Sequence, residues 1–409
     1  MRPYLMTLIT GLSVAVAAAC HSVGPRPPAA AELLAGNWAE IEQQARGTTV
    51  SFAMWAGEDA RNRFYQGPVT QTLRERFGIE LRIVPLTAVP DVINRLLNEE
   101  RAGRDRAGAI DLAWINGENF RTARQGDLLW GPFADSLPNI VHFDEQARRR
   151  DFGTPTDGFE APVESAQFVF AYDSARLAEP PRTLAALREW IEAHPGRFTY
   201  PALPDFTGSA FVRHVLYHAG GEPPAAFADG FDEQRYARAS ARAIAWLRDI
   251  KPFLWRKGET FPATTADLDR LFANGEVDFS MSYRPTFAAE KIRRGEFPAS
   301  TRTSGFEEGT IFNYSFLAVP FNAANPAGAL TVINYFLSPE HALARIRMLG
   351  GLFPQRLDNV AAEIRAAVDS LTSDPATLPL EWLAGHRIAE GDAEYLIRFE
   401  KDWQRSVLR

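Results

Sequence analysis

The sequence predicts an α/β protein made of two α/β sets. Alternating strand-like and helix-like segments run from residue 50 to 115, and a second series runs from 165 to 283. Composition supplies the third observation. Hydrophobic residues make up 46% of the 409, and a single cysteine rules out an intrachain disulfide, so stability must come from a packed core.

The first set opens with VSFAMW (50–55), which alternates as a strand. Residues 60–77 have helical character and stop at Gly78. IELRIVP (79–85) is a second strand. VPDVINRLLNEERAG (89–103) carries Val89, Val92, Ile93, Leu96 and Leu97 at helical spacing, and IDLAWI (110–115) is a third strand. Strand, helix, strand, helix, strand points to a parallel sheet.

In the second set SAQFVFAYDS (165–174) is strand-like, and a helix over 183–196 ends at Pro-Gly. RFTYPA (197–202) is expected as a strand, with helices at 209–221, 235–251 and 264–276 and a strand at 277–283. TIFNYSFLAVP (310–320) is a long strand. Residues 326–351 are two helices broken near Ser338-Pro339, and the remainder to Arg409 is mostly helical.

The N-terminus has a separate logic. Met1-Arg2 precedes the apolar run YLMTLITGLSVAVAAA, which is short for a membrane span and fits a secretory signal. Ala-Ala-Ala-Cys at its end resembles the bacterial lipobox, which implies cleavage before Cys20 and lipidation of its thiol. Residues 1–20 are therefore expected to be a lipoprotein signal and 21–45 a tether, with order starting near Trp38. The net charge is −7 and becomes one unit more negative without Arg2, which argues against a nucleic-acid partner.

Several segments narrow the fold: MWAGEDARNRF (54–64), DLAWINGENF (111–120), ESAQFVFAYDS (164–174), YPALPDFTGSAFVR (200–213), FSMSYRP (279–285) and NYSFLAVPFNAANPAGALTVINYFLSPE (313–340). Together they resemble the YnjB group of ABC-transporter solute-binding proteins, over roughly residues 45–400. The resemblance implies a two-lobed type-II periplasmic binding fold with crossover hinge strands. Lobe 1 would comprise 46–170 and 317–355, lobe 2 would comprise 171–316, and 356–409 would pack on the lobes as a helical segment. It also implies a small-solute ligand, a membrane permease with its ATPase as partners, no cofactor and no enzymatic activity. The protein would be a monomer, tethered to a membrane in the cell envelope or periplasm.

Ligands of open α/β sheets bind beyond the carboxyl ends of the strands, so the residues there are the site candidates. Trp55 ends the first strand and offers a stacking face, and Asn62 opens the next helix. Asn116, Gly117, Glu118 and Asn119 follow the third strand. Asn116 is expected to cap the helix carrying Phe120, and Glu118 to face a cation. Asp205 suits an ammonium group, while Thr207, Gly208 and Ser209 at a helix start suit an anion. Tyr283 can stack. Arg284 can hold a carboxylate or phosphate, or equally form an interlobe salt bridge. Gln167 and Tyr314 sit near the hinge and either line the cleft or hold the crossover.

No Walker A, G-x-S-x-G, H-E-x-x-H or dinucleotide fingerprint is present. His214 and His218 have zinc-ligand spacing on a helix, but helix packing explains the pair and no metal site is expected. The competing functions are an exported lipoprotein hydrolase and a receptor-docking sensor using the same cleft. Thiamine and polyamines both fit the aromatic and acidic candidates. Arg284 and the 207–209 amides leave room for a phosphorylated or zwitterionic solute, and the lack of a Tyr-Tyr pair disfavours iron.

Overall fold

The computed structural model describes residues 29–408. Cys20, the signal segment 1–20 and the first part of the expected tether lie outside the described residues.

The segment expected to be a tether is helical from residue 30 onward. Helices α1 (Ala30–Leu34) and α2 (Trp38–Ala45) bury Ala30, Leu33, Ile41 and Ala45 in the core of the first lobe. The apolar spacing of Leu33, Ile41 and Ala45 supplies that buried stripe, and Asn37 caps α2 by accepting from Glu40 N at 3.1 Å.

Strand β1 (Thr49–Trp55) lies between β2 (Glu80–Leu86) and β3 (Leu112–Ile115), parallel to both. The connection from β1 to β2 is one continuous helical run. It comprises α3 (Asp59–Phe64), a wide π turn at Tyr65–Val69, α4 (Thr70–Thr72) and a second π turn ending at Gly78 in the left-handed conformation. Pro68 has no N–H to donate, and the wide turn around it accommodates the gap without stopping the helix. Helix α5 (Pro90–Arg101) joins β2 to β3, and α6 (Glu118–Gln125) follows β3. Strand β4 (Leu129–Trp130), the hairpin β5 (Arg150–Asp151) and β6 (Thr154–Pro155), and the long β7 (Glu160–Gln167) complete this stretch.

The strand expected over 165–174 changes sheet at Phe168. Its amide donates to Ile311 O at 2.9 Å, and β8 (Val169–Asp173) continues into a separate sheet. There β8 lies between β9 (Phe279–Ser282) and β10 (Thr301–Ser304), antiparallel to both. Residues 197–202 form no strand. They run extended past β9 and make isolated backbone bonds, such as Asp278 N to Arg197 O at 2.8 Å. Helices α7 (Leu184–Ala193), α8 (Phe206–Ala219), α9 (Glu233–Ile250), α10 (Thr265–Ala273) and α11 (Phe287–Arg293) surround this second sheet, with Phe170, Phe198, Phe211 and Phe279 in its core.

The chain returns to the large sheet in β11 (Thr310–Pro320), which is antiparallel to β7 and β3. Helices α12 (Pro326–Phe336) and α13 (Pro339–Leu349) are separated at Ser338, whose hydroxyl caps α13 by accepting from His341 N. After Gly350-Gly351 come α14 (Ala362–Thr372), α15 (Leu380–Gly385), β12 (Arg387–Ala389) and α16 (Ala393–Trp403). Strand β12 pairs in parallel with the start of β11, while Tyr395, Phe399 and Trp403 of α16 enter the core of the second sheet's lobe. The two lobes therefore have separate cores, joined by β7–β8, by β10–β11 and by the stretch from α14 to α15.

Candidate functional site

A cavity of about 600 Å³ lies between the lobes at the carboxyl ends of β1, β3 and β9. Its wall takes Trp55, Asn116, Thr207, Tyr283 and Arg284 from the sequence candidates. Trp55 is 44% exposed, although the five strand residues before it are buried. Its indole folds over Gly57, where any β-carbon would collide with the ring. Asn62 does not line the cavity. Its Nδ2 donates to Ala56 O at 2.9 Å and fixes the loop that presents Trp55.

Only Asn116 of the 116–119 turn faces the cavity. It is not the helix cap. That place belongs to Gly117 at φ 61°, whose amide donates to Asp151 Oδ2 at 2.5 Å. A positive φ suits glycine, which explains why the turn tightens one residue later than expected. Glu118 is exposed outside the cavity wall, and Asn119 is buried beside it.

The Asp205–Ser209 segment also differs. Helix α8 begins at Phe206, and Asp205 is its cap, accepting from Thr207 N and Gly208 N at 3.0 Å each. The same carboxylate accepts from Thr265 N at 2.9 Å and Thr265 Oγ1 at 2.8 Å. Neither a free carboxylate nor free amides remain for a ligand there. Ser209 faces the C-terminal helix, where Arg213 Nη1 donates to its hydroxyl at 2.8 Å and Glu400 accepts from it at 2.5 Å. Phe206, not singled out in the sequence, projects into the cavity instead, 51% exposed and with its ring 4.8 Å from that of Tyr283.

Gln167 and Tyr314 hold the crossover. Gln167 Nε2 donates to Thr310 Oγ1 at 3.0 Å and Leu383 O at 2.9 Å, and the Tyr314 hydroxyl donates to Pro354 O at 3.3 Å. Beneath the cavity Tyr283 donates to Glu390 Oε1 at 2.7 Å and accepts from Arg213 Nη2 at 2.8 Å. Glu390 also accepts from Asn313 at 3.2 Å, which ties lobe 2, β11 and the C-terminal segment together. Burial alone would lower the Arg213 pKa, but Glu390 and Tyr283 more than reverse this and keep it charged.

The charged lining was largely missed in the sequence. Glu164, on β7, meets Arg61 at 2.9 Å and Arg345 at 3.7 Å. Burial raises its pKa, yet the two guanidinium groups outweigh burial and hold it below the ordinary value. Arg61 also lies over the Trp114 ring at 4.9 Å. Arg284 reaches Glu58 across the lobes at 3.4 Å, so the salt-bridge alternative is realised. These partners are scattered from residue 58 to 345, and no local spacing marks them.

The zinc-spaced histidines are core residues. His214 Nδ1 donates to Ala210 O at 2.8 Å, and its Nε2 accepts from Ile311 N at 2.9 Å. Burial lowers its pKa well below the usual histidine value, and lowers that of His218 to about 4.

A two-lobed fold with a cavity between the lobes defines a binding protein, and comparison with known proteins gives its family. Residues 69–378 match the model for bacterial extracellular solute-binding proteins, and the chain belongs to that family. Protein YnjB of Escherichia coli strain K12 is 39% identical over 312 residues, which cover 76% of this chain and 80% of that protein. Solved structures share the fold at low identity. The substrate-binding protein PotD of a Streptococcus pneumoniae spermidine/putrescine transporter superposes with a TM-score of 0.63 at 13% identity, covering 88% of this chain and 98% of PotD. Iron-bound HitA of Pseudomonas aeruginosa gives 0.60 at 16% identity, covering 87% and 99%. AfuA of Actinobacillus pleuropneumoniae, with fructose-6-phosphate bound, gives 0.56 at 12%, covering 88% and 98%.

Proposed function

We propose that this protein captures its solute in the cavity between Trp55 and Phe206 and delivers it, with the lobes closed, to a membrane permease driven by a partner ATPase. The observation that carries the reading is a cavity whose wall comes from both lobes, with an exposed aromatic side chain from each. Contacts that exist only when the lobes meet favour the closed state. The protein itself carries out no covalent chemistry. It acts as a monomer in the cell envelope, tethered by a lipid on Cys20.

Native mass spectrometry of gently purified protein tests capture by searching for a retained small molecule. X-ray scattering with and without that molecule tests closure, and a bound ligand with an unchanged radius of gyration would refute it. Cys20→Ser should release the protein from membranes or block its processing. Unchanged membrane retention, with no lipid mass on the wild-type N-terminus, would remove the anchor from this account.

A further inference from the structure

The charge of the cavity narrows the solute. Two acidic residues favoured a cation in the sequence, and neither is available. Asp205 is consumed in capping α8 and holding Thr265, and Glu118 lies outside the wall. In their place the wall carries three guanidinium groups, Arg61, Arg284 and Arg345, against two carboxylates, Glu58 and Glu164. Glu164 is buried and clamped between Arg61 and Arg345. Arg345 is itself buried and donates to the carbonyls of Gly350 and Leu352.

Glu58 is different. Its side chain is 28% exposed and stands between Arg284 of lobe 2 at 3.4 Å and Arg61 of lobe 1 at 3.7 Å. Both distances exceed the 2.7–2.9 Å or so of a strong charge-assisted hydrogen bond. Glu58 precedes α3 but makes no capping bond, so its carboxylate is held by the two guanidinium groups and not by the helix. Arg284, at 33% exposure, is the most open of the three cations, and its other contacts to Glu290 and Leu349 O are 3.4 and 3.5 Å long. A loosely held carboxylate between two guanidinium groups marks the place where a better-fitting anion would gain from both lobes at once.

We propose that the solute carries a carboxylate or phosphate which binds Arg284 and Arg61 in place of Glu58, with a flat or apolar body between Trp55 and Phe206. The inference rests on capture in this cavity and specifies the ligand class. Glu58 then acts as an internal competitor. An anionic solute displaces it and takes over the bridge between the lobes, whereas a cationic solute would have to leave Arg284 and Arg61 facing it.

Calorimetry with ring-bearing probes of different charge tests this on the wild type and on the Glu58→Gln, Arg284→Gln and Arg284→Lys variants. The probes are indole-3-propionate, its cationic counterpart tryptamine, and pyridoxine 5′-phosphate. At least one anion should bind while tryptamine does not, and the better of the two distinguishes a carboxylate from a phosphate solute. Arg284→Gln should weaken that anion about tenfold or more, Arg284→Lys less, and Glu58→Gln should strengthen it several-fold. Preference for tryptamine, anion affinity unmoved by Arg284→Gln, or no binding of either anion would overturn the assignment. If Arg284→Gln does not fold, Glu58→Gln decides: weaker anion binding in that variant refutes displacement. A retained cation in the native mass spectrum would overturn the anionic assignment and leave capture standing. No retained molecule and no probe binding would remove both.

Discussion

Single residues differ in how far their chemistry is committed to the fold. Trp55 is available, because the indole rests over Gly57 and remains exposed at a strand end. Trp55→Ala should cost a bound flat solute roughly 1–2 kcal/mol, about tenfold in affinity, with the fold intact. Gly57→Ala should weaken the same ligand by pushing the indole aside, and calorimetry on both variants checks the pair. Asp205 has the opposite character. Its four accepted bonds make it a cap and a tie to Thr265, so Asp205→Ala should destabilise the protein by about 1–2 kcal/mol. Lower urea stability with unchanged solute affinity is the expected result. A loss of affinity at unchanged stability would return Asp205 to the site. Strand ends were legible because alternation shows where each strand stops, and that located Trp55, Asn116, Tyr283 and Arg284. Whether a carboxylate at a helix start is spoken for depends on partners such as Thr265, sixty residues away.

At the scale of elements, the Gly350-Gly351 passage stands out. Leu349 packs in the lobe 1 core and Leu352 in the lobe 2 core, while Phe353 and α14 pack back on α13, so the passage touches lobe 2 between two lobe 1 segments. Both glycines have positive φ, 71° and 88°, which side-chain-bearing residues adopt at a cost. Gly351 N donates to Thr286 Oγ1 at 2.7 Å, and the same hydroxyl donates to Glu290 at 2.7 Å. A β-carbon on Gly350 would run into the Glu290 carboxylate. Gly350→Ala should therefore destabilise the protein by about 1–3 kcal/mol and change the scattering response to ligand. Wild-type melting with an unaltered closure signal would show that the passage is not a strained joint. The α12–α13 break was legible in the sequence from Ser338-Pro339, where a capping hydroxyl precedes a proline. The split of 165–174 between two sheets was not. The apolar, strand-like run continues through Phe168 and carries no information about which partner strand each half meets.

Across the whole molecule, buried ionisable groups couple stability to pH in opposing directions. Burial lowers the pKa of His341 to about 3 and that of His218 to about 4, and His214 moves the same way. An unfolded histidine titrates near 6.5, so between that pH and the folded value the unfolded chain binds more protons. The stability present above pH 6.5 is therefore lost as the pH falls toward 4 and then 3, by roughly 3–5 kcal/mol for His218 and for His341 once the pH is below their folded values. Asp151 and Glu160 act in reverse. Burial raises both pKa values, helped by Glu118 and Glu390 at Asp151 and by Asp151 at Glu160, and the Glu160 oxygens have no hydrogen-bond partner among the described residues. Their contribution is fully present below the ordinary carboxylate pKa and lost as the pH rises through the raised values. Glu160→Gln should accordingly stabilise the protein at neutral pH. The histidines should dominate acid unfolding. Urea titrations at pH 7.5 and 4.5 should show a large loss for the wild type and a smaller one for a His218→Gln, His341→Leu double variant. Among the described residues His341 has no side-chain hydrogen-bond partner, and it stacks on Phe336 at 4.7 Å, so an apolar replacement suits its site. An equal loss of stability in both proteins would mean that protonation of these histidines does not drive acid unfolding.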